Sequence, residues 1–184
     1  MSLPKWAKKV FTWEIFDVYQ WKQKMFDGSF AIFEKIKRAD TVVVLAEHKG
    51  KIVVCKQMQP DWPKPSLSLP WGRIDPGEKP LAAAKRELLE ETWMKAKKMV
   101  LWKTYTPFHK LLWTTYVYLA PWCEIVAEQD LDQGEQIELA YVNFERFLKL
   151  AEDGKFYFSL MELDLLKMEK YGKLKAFKKK LLWL

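Results

Sequence analysis

Cysteine is almost missing from this chain. Cys55 and Cys123 are the only two in 184 residues; each sits inside an apolar run, and neither has metal-ligand spacing. A disulfide framework is thereby excluded, and inert buried thiols in a reduced, cytoplasmic setting are the expectation. Long hydrophobic runs are missing too: none approaches the roughly 18 residues that a membrane-spanning helix needs. Met1 to Val10 holds three lysines with no adequate apolar stretch behind them, so no secretory signal is read. There is no internal repeat and no interdomain linker. The remaining chain, 49% hydrophobic, suffices for one domain with its own core and no structural metal.

Two features are in excess. The formal charge is +7 and the isoelectric point about 9.2, a balance that favours polyanions or an anionic membrane surface. The excess is local, because Lys173 to Lys180 alone carries five lysines. Attraction to small phosphate-bearing molecules explains the rest equally well, and no nucleic-acid signature is read beyond that tail. Ten tryptophans exceed what core packing asks for.

One stretch reads as chemistry, Leu69 to Met94, LPWGRIDPGEKPLAAAKRELLEETWM. Asp75-Pro76-Gly77 predicts a turn, Pro80 suits a first helical turn, and Leu81, Ala84 and Leu88 recur at helical spacing. On that helix Glu87 and Glu91 stack on one side, with Glu90 about 60° around. Three like charges within a turn repel. Either lysine and arginine neighbours resolve the conflict on a solvated face, or a hard divalent cation does, and such cations work chiefly on phosphate oxygens.

The spacing of the whole stretch favours the second reading. Gly72, five residues, Glu78, seven residues, Arg86-Glu87-Leu88, one residue, Glu90-Glu91, one residue, then Trp93-Met94 resembles the Nudix box, G-x5-E-x7-R-E-U-x-E-E-x-G-U, with U aliphatic. Only the last glycine departs, replaced by Trp93. The resemblance implies an α+β Nudix fold: an α/β/α sandwich around a mixed sheet, with an N-terminal antiparallel extension. It implies that Glu87 and Glu91 bind Mg2+ or Mn2+ together with the Trp71 carbonyl, with Glu90 a further ligand or a charge partner, and that Gly72 lets the backbone pass close to the metal. It also implies an Arg86–Glu78 salt bridge bracing loop against helix, with Arg86 and Glu90 in the catalytic set. A glycine at the end of a helix usually turns through positive φ, which costs a residue with a Cβ about 1–2 kcal/mol. Trp93 is therefore expected either to be strained or to leave the helix differently. Trp71 stands where relatives carry a small residue, and a bulky ring at each end of the metal loop would narrow or fill the site.

The rest of the chain is read around that box. Val10–Tyr19 and Ser29–Lys37 predict strands separated by a turn at Asp27-Gly28; in the ADP-ribose pyrophosphatase branch such an N-terminal sheet supports a homodimer. Thr41–Ala46 and Lys51–Lys56 predict the central hairpin. The proline-rich segment after it carries diphosphate-binding arginines in that branch; here Lys56 is positive, Gln57 and Gln59 are neutral, and Arg73 is a further candidate for substrate. Strands are expected at Lys98–Lys103 and Trp113–Leu119, with Glu124–Glu128 continuing the sheet. Glu135-Gln136-Ile137-Glu138 resembles the branch's acidic loop, making Glu135 the candidate general base or metal ligand, while Gln133 cannot take a proton. Helices follow at Phe144–Asp153 and Phe158–Lys170. The boundaries read are residues 1–38 for a dimerising extension, 39–172 for the Nudix domain, and 173–184 for a basic amphipathic tail able to fray, dock or meet a membrane. The implied activity is metal-dependent hydrolysis of a nucleoside diphosphate linked to X, ADP-ribose foremost. The alternative is an impaired or engineered, tryptophan-substituted Nudix scaffold that binds or self-assembles.

Overall fold

The computed structural model describes residues 2–126, 136–157 and 159–182. The chain opens with β1 (Lys8–Thr12), β2 (Asp17–Lys24) and β3 (Phe30–Lys37), then β4 (Thr41–His48), β5 (Lys51–Met58), β6 (Ser66–Ser68) and β7 (Trp71–Arg73) lead to α1 (Pro80–Thr92). After the helix come β8 (Met94–Ala96), β9 (Val100–Tyr105), β10 (Leu111–Leu112), β11 (Thr115–Ala120), β12 (Cys123–Ile125) and β13 (Gln136–Val142). Three helices close the chain, α2 (Phe144–Glu152), α3 (Ser159–Lys170) and α4 (Leu174–Leu182).

β4 is the centre of the molecule because it is apolar on both faces. Val42, Val43, Val44, Leu45 and Ala46 are all fully buried, the signature of a strand covered on both sides. Alternation sends Val43 and Leu45 to a core shared with α2, α3 and α4, and Val42, Val44 and Ala46 to a second core shared with Ala83, Ala84 and Leu88 of α1. The sheet order is β13-β5-β4-β11-β9, with β11 parallel to β4 and β9 antiparallel to β11. It is the expected mixed sheet sandwiched by helices.

The central hairpin is splayed. β4 and β5 pair only at Glu47↔Ile52 and His48↔Lys51, beside the two-residue turn Lys49-Gly50, both at positive φ, which suits the twist of paired strands. Beyond that the strands part: β6 takes β5 at Cys55↔Ser68, and β7 takes β4 at Val42↔Gly72 and Val43↔Trp71. The chain that leads into α1 is thus wedged into the middle of the sheet.

Two expectations are corrected. The single strand at Val10–Tyr19 is two, β1 and β2, turned over by a Trp13 N–H to Phe16 carbonyl hydrogen bond of 2.8 Å; that turn has no glycine or proline to announce it. Glu124 does not continue the main sheet, since β12 forms a ribbon with β8 instead. Within the extension β1, β2 and β3 pair antiparallel as expected, and β10, from beyond it, adds to β3 in parallel and ties the extension to the rest of the chain. The basic tail forms α4, which packs on the domain through Phe177 and Leu181 in the core. Both cysteines are buried and unbridged, and burial pushes the Cys123 thiol up to about 12.

Candidate active site

Glu78 N–H donates to the Asp75 carbonyl at 3.0 Å, closing the predicted turn, and Pro80 then sits in the first turn of α1, where its missing N–H costs nothing. The inward stripe of that helix is Ala83, Ala84, Leu88 and Thr92, and Glu87 and Glu91 lie on it. Two buried carboxylates on an apolar stripe are costly unless something nearby compensates their charge.

The compensation comes from β7 and from Arg86. The Glu91 carboxylate accepts the Trp71 backbone N–H at 3.1 Å. The Glu87 carboxylate lies over Gly72 so closely that a Cβ there would be 2.0 Å from its Oε1. Only glycine leaves that space, so the first fixed residue of the box is explained by a contact and not by backbone conformation. The two carboxylates thus reach adjacent residues of one wedged strand.

Arg86 gathers the remaining charge. Its Nε and Nη2 donate to the two oxygens of Glu78 at 3.2 and 3.0 Å, its Nη1 to Glu87 at 2.8 Å and Glu90 at 2.9 Å, and its Nη2 to the Arg73 carbonyl at 2.9 Å. A planar fork is the one side chain that can serve so many acceptors at once. The hydrogen bonds it donates to Glu78 are the largest reason its guanidinium is held protonated even more firmly than usual, followed by opposing desolvation and by Glu87. Reciprocally, Arg86 draws the Glu78 carboxyl below its ordinary value. The carboxylate repulsion anticipated from sequence is thus balanced by a residue of the same helix.

The other predicted positions are less concentrated. Glu90 is turned to Arg86 and is 40% exposed at its side chain. Among the described residues no three carboxylate, histidine or cysteine side chains converge as a metal cluster. Mg2+ commonly uses only one or two protein carboxylates and completes its shell with water and substrate phosphate, a demand that Glu87 and Glu91 fit. Lys56 is paired with Glu138 at 3.0 Å and Arg73 with Asp75 at 3.4 Å, both near the surface. Glu135 and Gln133 lie outside the described residues.

The two tryptophans have separate fates. Trp93 caps α1 at φ 62°, ψ 14°, its N–H donating to the Leu89 carbonyl, so of the two options the strained one is taken. Its ring Nε1 is buried with no acceptor among the described residues. Trp71 shares the β4 face of Val43 rather than that of Val42, so its ring lies on the α2–α3 side of the sheet, away from the Glu87 side. There its Nε1 donates to Gln57 at 2.9 Å and its ring meets Tyr157 at 5.4 Å, which in turn stacks on Trp62 at 5.3 Å.

Gln57 was noted in sequence only as an uncharged member of a phosphate-facing segment. It is fully buried and joins Ser68 to Trp71; it follows Lys56 in a strand that also begins with a lysine, so no local signal marks it. A cavity of about 490 Å3 beside this row, lined by Val43, Tyr105, Phe108, Trp113, Tyr157 and Leu160 among others, has no counterpart in the sequence reading. At its edge the Tyr105 hydroxyl donates to Asp164 at 2.5 Å, and burial, then Asp164, hold that phenol well above its ordinary range.

A strand-wedged glycine under a glutamate of the following helix, braced by a loop–helix arginine bridge, defines a class. The chain belongs to the Nudix family: the NUDIX domain matches residues 35–163. Among its relatives is the ADP-ribose pyrophosphatase of Bacillus subtilis (strain 168), 31% identical over 153 residues that cover 82% of this chain and 83% of the relative. The crystal structure of an ADP compounds hydrolase superposes with a TM-score of 0.73, covering 91% of this chain and 94% of that one at 18% identity, which shows the fold.

Proposed function

We propose that this chain is a divalent-metal-dependent pyrophosphohydrolase that splits ADP-ribose into AMP and ribose 5-phosphate, with Mg2+ as its working ion, in the cytoplasm. The observation that carries the reading is the Glu87 carboxylate seated over Gly72 while Glu91 holds the Trp71 N–H one residue away. Oxygen donors on rigid elements are what a hard cation and a diphosphate require. The name of the Bacillus subtilis relative supports ADP-ribose as the substrate.

In this reading Glu87 and Glu91, with Glu90 and the Trp71 carbonyl, hold the metal. The bound ion supplies charge neutralisation on the diphosphate oxygens and a more acidic water. Arg86, locked by Glu78, fixes the register of helix against loop and keeps Glu90 placed. Glu135 or Glu90 takes the proton of the attacking water. Lys56 and Arg73 meet substrate phosphates after leaving Glu138 and Asp75, exchanges that cost little because surface ion pairs are weak.

The N-terminal extension, residues 1–38, serves as a dimerising unit. Its Trp13, Phe30 and Ile32 are 66%, 57% and 66% exposed, and exposed apolar surface of this kind marks a contact region. Trp13 stacks on Phe11 at one end of the extension's sheet and Phe30 and Ile32 lie toward the other, and this spread of exposed rings, with the strained Trp93, favours one second reading: a Nudix scaffold that binds or self-assembles without turnover.

The test is AMP release from ADP-ribose with and without Mg2+, in wild type and Glu91→Gln. Release that disappears with chelator and in the variant supports the hydrolase. A folded, dimeric, metal-binding protein that releases no AMP from ADP-ribose or from a panel of nucleotide sugars selects the scaffold.

A further inference from the structure

The outer surface of the α2–α3–α4 layer is not explained by the fold or by the α1 site. Helix α3 turns Met161, Glu162 and Leu165 inward. At about 100° per residue, Leu163 and Leu166 fall outside that buried stripe with Lys167 and Lys170, while Leu160 edges the cavity beside Tyr157. Leu163 and Leu166 are 46% and 37% exposed, and Tyr171 at the helix end is 66% exposed. A helix that merely packs on a sheet presents polar residues on its outer arc, whereas this one mixes half-exposed leucines with its lysines there.

Charge accumulates on the same layer. Gly172 turns the chain into α4, whose Phe177 and Leu181 are buried while Lys173, Lys175, Lys179 and Lys180 remain exposed. Between residues 159 and 182 stand seven lysines and three carboxylates. Two of those carboxylates are committed inward: Glu162 accepts the Phe156 N–H at 2.8 Å, and Asp164 is held by Lys103 and Tyr105. Glu169 is the third, and Glu145 of α2 pairs with Lys178 at 2.6 Å, which leaves the other lysines in excess.

This combination selects among partners. A second copy packed through a two-fold axis would set these lysines against the same lysines. An anionic bilayer matches both components: leucine side chains enter the headgroup boundary, lysine stems lie along it, and their ammonium groups stay at the level of the phosphates. We propose that the α3–α4 face docks this protein on anionic phospholipid surfaces as a peripheral contact. Because α1 packs on the other face of the sheet, docking leaves Glu87 and Glu91 facing away from the lipid.

The test is co-sedimentation of the full chain with large vesicles of phosphatidylcholine alone or with about a third phosphatidylserine. Partition onto the anionic vesicles should be about tenfold greater and should fall as salt screens the lysines. Leu163→Gln/Leu166→Gln and, separately, Lys170→Glu/Lys179→Glu should each lower it about tenfold, with unchanged melting and unchanged ADP-ribose hydrolysis. Equal partition onto both vesicle types overturns the proposal, as does anionic binding indifferent to the leucine pair. A lipid-free dimer that dissociates in the leucine variant assigns the face to a second copy, and tighter binding to an acidic polypeptide than to vesicles assigns it to a protein. Either result also overturns it. Vesicle binding does not depend on turnover, so a hydrolase reading that fails leaves this measurement intact.

Discussion

Replacing Gly72 by alanine should separate folding from catalysis. The new Cβ would lie 2.0, 2.1 and 2.3 Å from the Oε1, Cδ and Oε2 atoms of Glu87. Ordinary heavy-atom contact is about 3.5–4.0 Å, so the carboxylate must retreat by roughly 1.5 Å. The three nearest atoms all belong to the end of one flexible side chain, and Gly72 is not among the residues at positive φ; the fold should therefore survive. What is lost is the 2.8 Å Arg86–Glu87 bond, worth about 1.5–3 kcal/mol as a charge-assisted hydrogen bond. Against it stands about 0.4–1 kcal/mol from the stiffer unfolded chain. The net is a destabilisation of about 1–2 kcal/mol, or roughly 2–8 °C in melting temperature for a chain of this size. Catalysis should suffer far more, since a 1 Å displacement of a reacting constellation costs about 100-fold. Thermal melts and initial rates of AMP release under saturating Mg2+ measure both. Turnover within about threefold of wild type, in a variant that melts as predicted, would show that the Glu87–Gly72 contact is not where the chemistry occurs.

Further expectations rest on single contacts. Arg86→Lys keeps the charge but not the fork, so it should lose about 2 kcal/mol or more by denaturant titration; wild-type stability would refute the bracing role. The Glu78 carboxyl sits below its ordinary value of 4.5 because Arg86 bonds it, so its stabilisation is complete above that value and lost as pH falls through the lower folded one. Glu78→Gln should thus be less stable than wild type near neutrality, with the gap closing in acid, and a gap that persists at about pH 2 would contradict the linkage. With Cys55 buried and Cys123 pushed up to about 12, neither thiol should react with an alkylating reagent in the native protein at mildly alkaline pH, while both should react after unfolding; rapid native labelling would show that the core opens.

The physical origin of what could be read in advance is local. Pro80, the apolar spacing of Leu81, Ala84 and Leu88, and the turn at Asp75-Pro76-Gly77 are short-range signals, and α1 lies where they place it. β4 was readable because five consecutive buried side chains leave no polar face to misassign. The turn between β1 and β2 was not readable, because Trp13 to Phe16 offers only a backbone hydrogen bond and no punctuating residue. Nor was Gln57, whose partners Ser68 and Trp71 are eleven and fourteen residues away.

The order of residues by itself determined the family, the helix and the identity of its charged side chains, since box spacing and helical period are properties of the chain read in one dimension. It also set the buried state of two lone cysteines inside apolar runs. The tertiary structure alone decided that the central hairpin parts to admit β7, that Glu87 comes to rest over Gly72, and that the Trp71 ring leaves for the opposite face. Those outcomes depend on which strand pairs with which. A one-residue change of register between β7 and β4 would exchange the faces of Trp71 and Gly72, and nothing in the local pattern specifies that register.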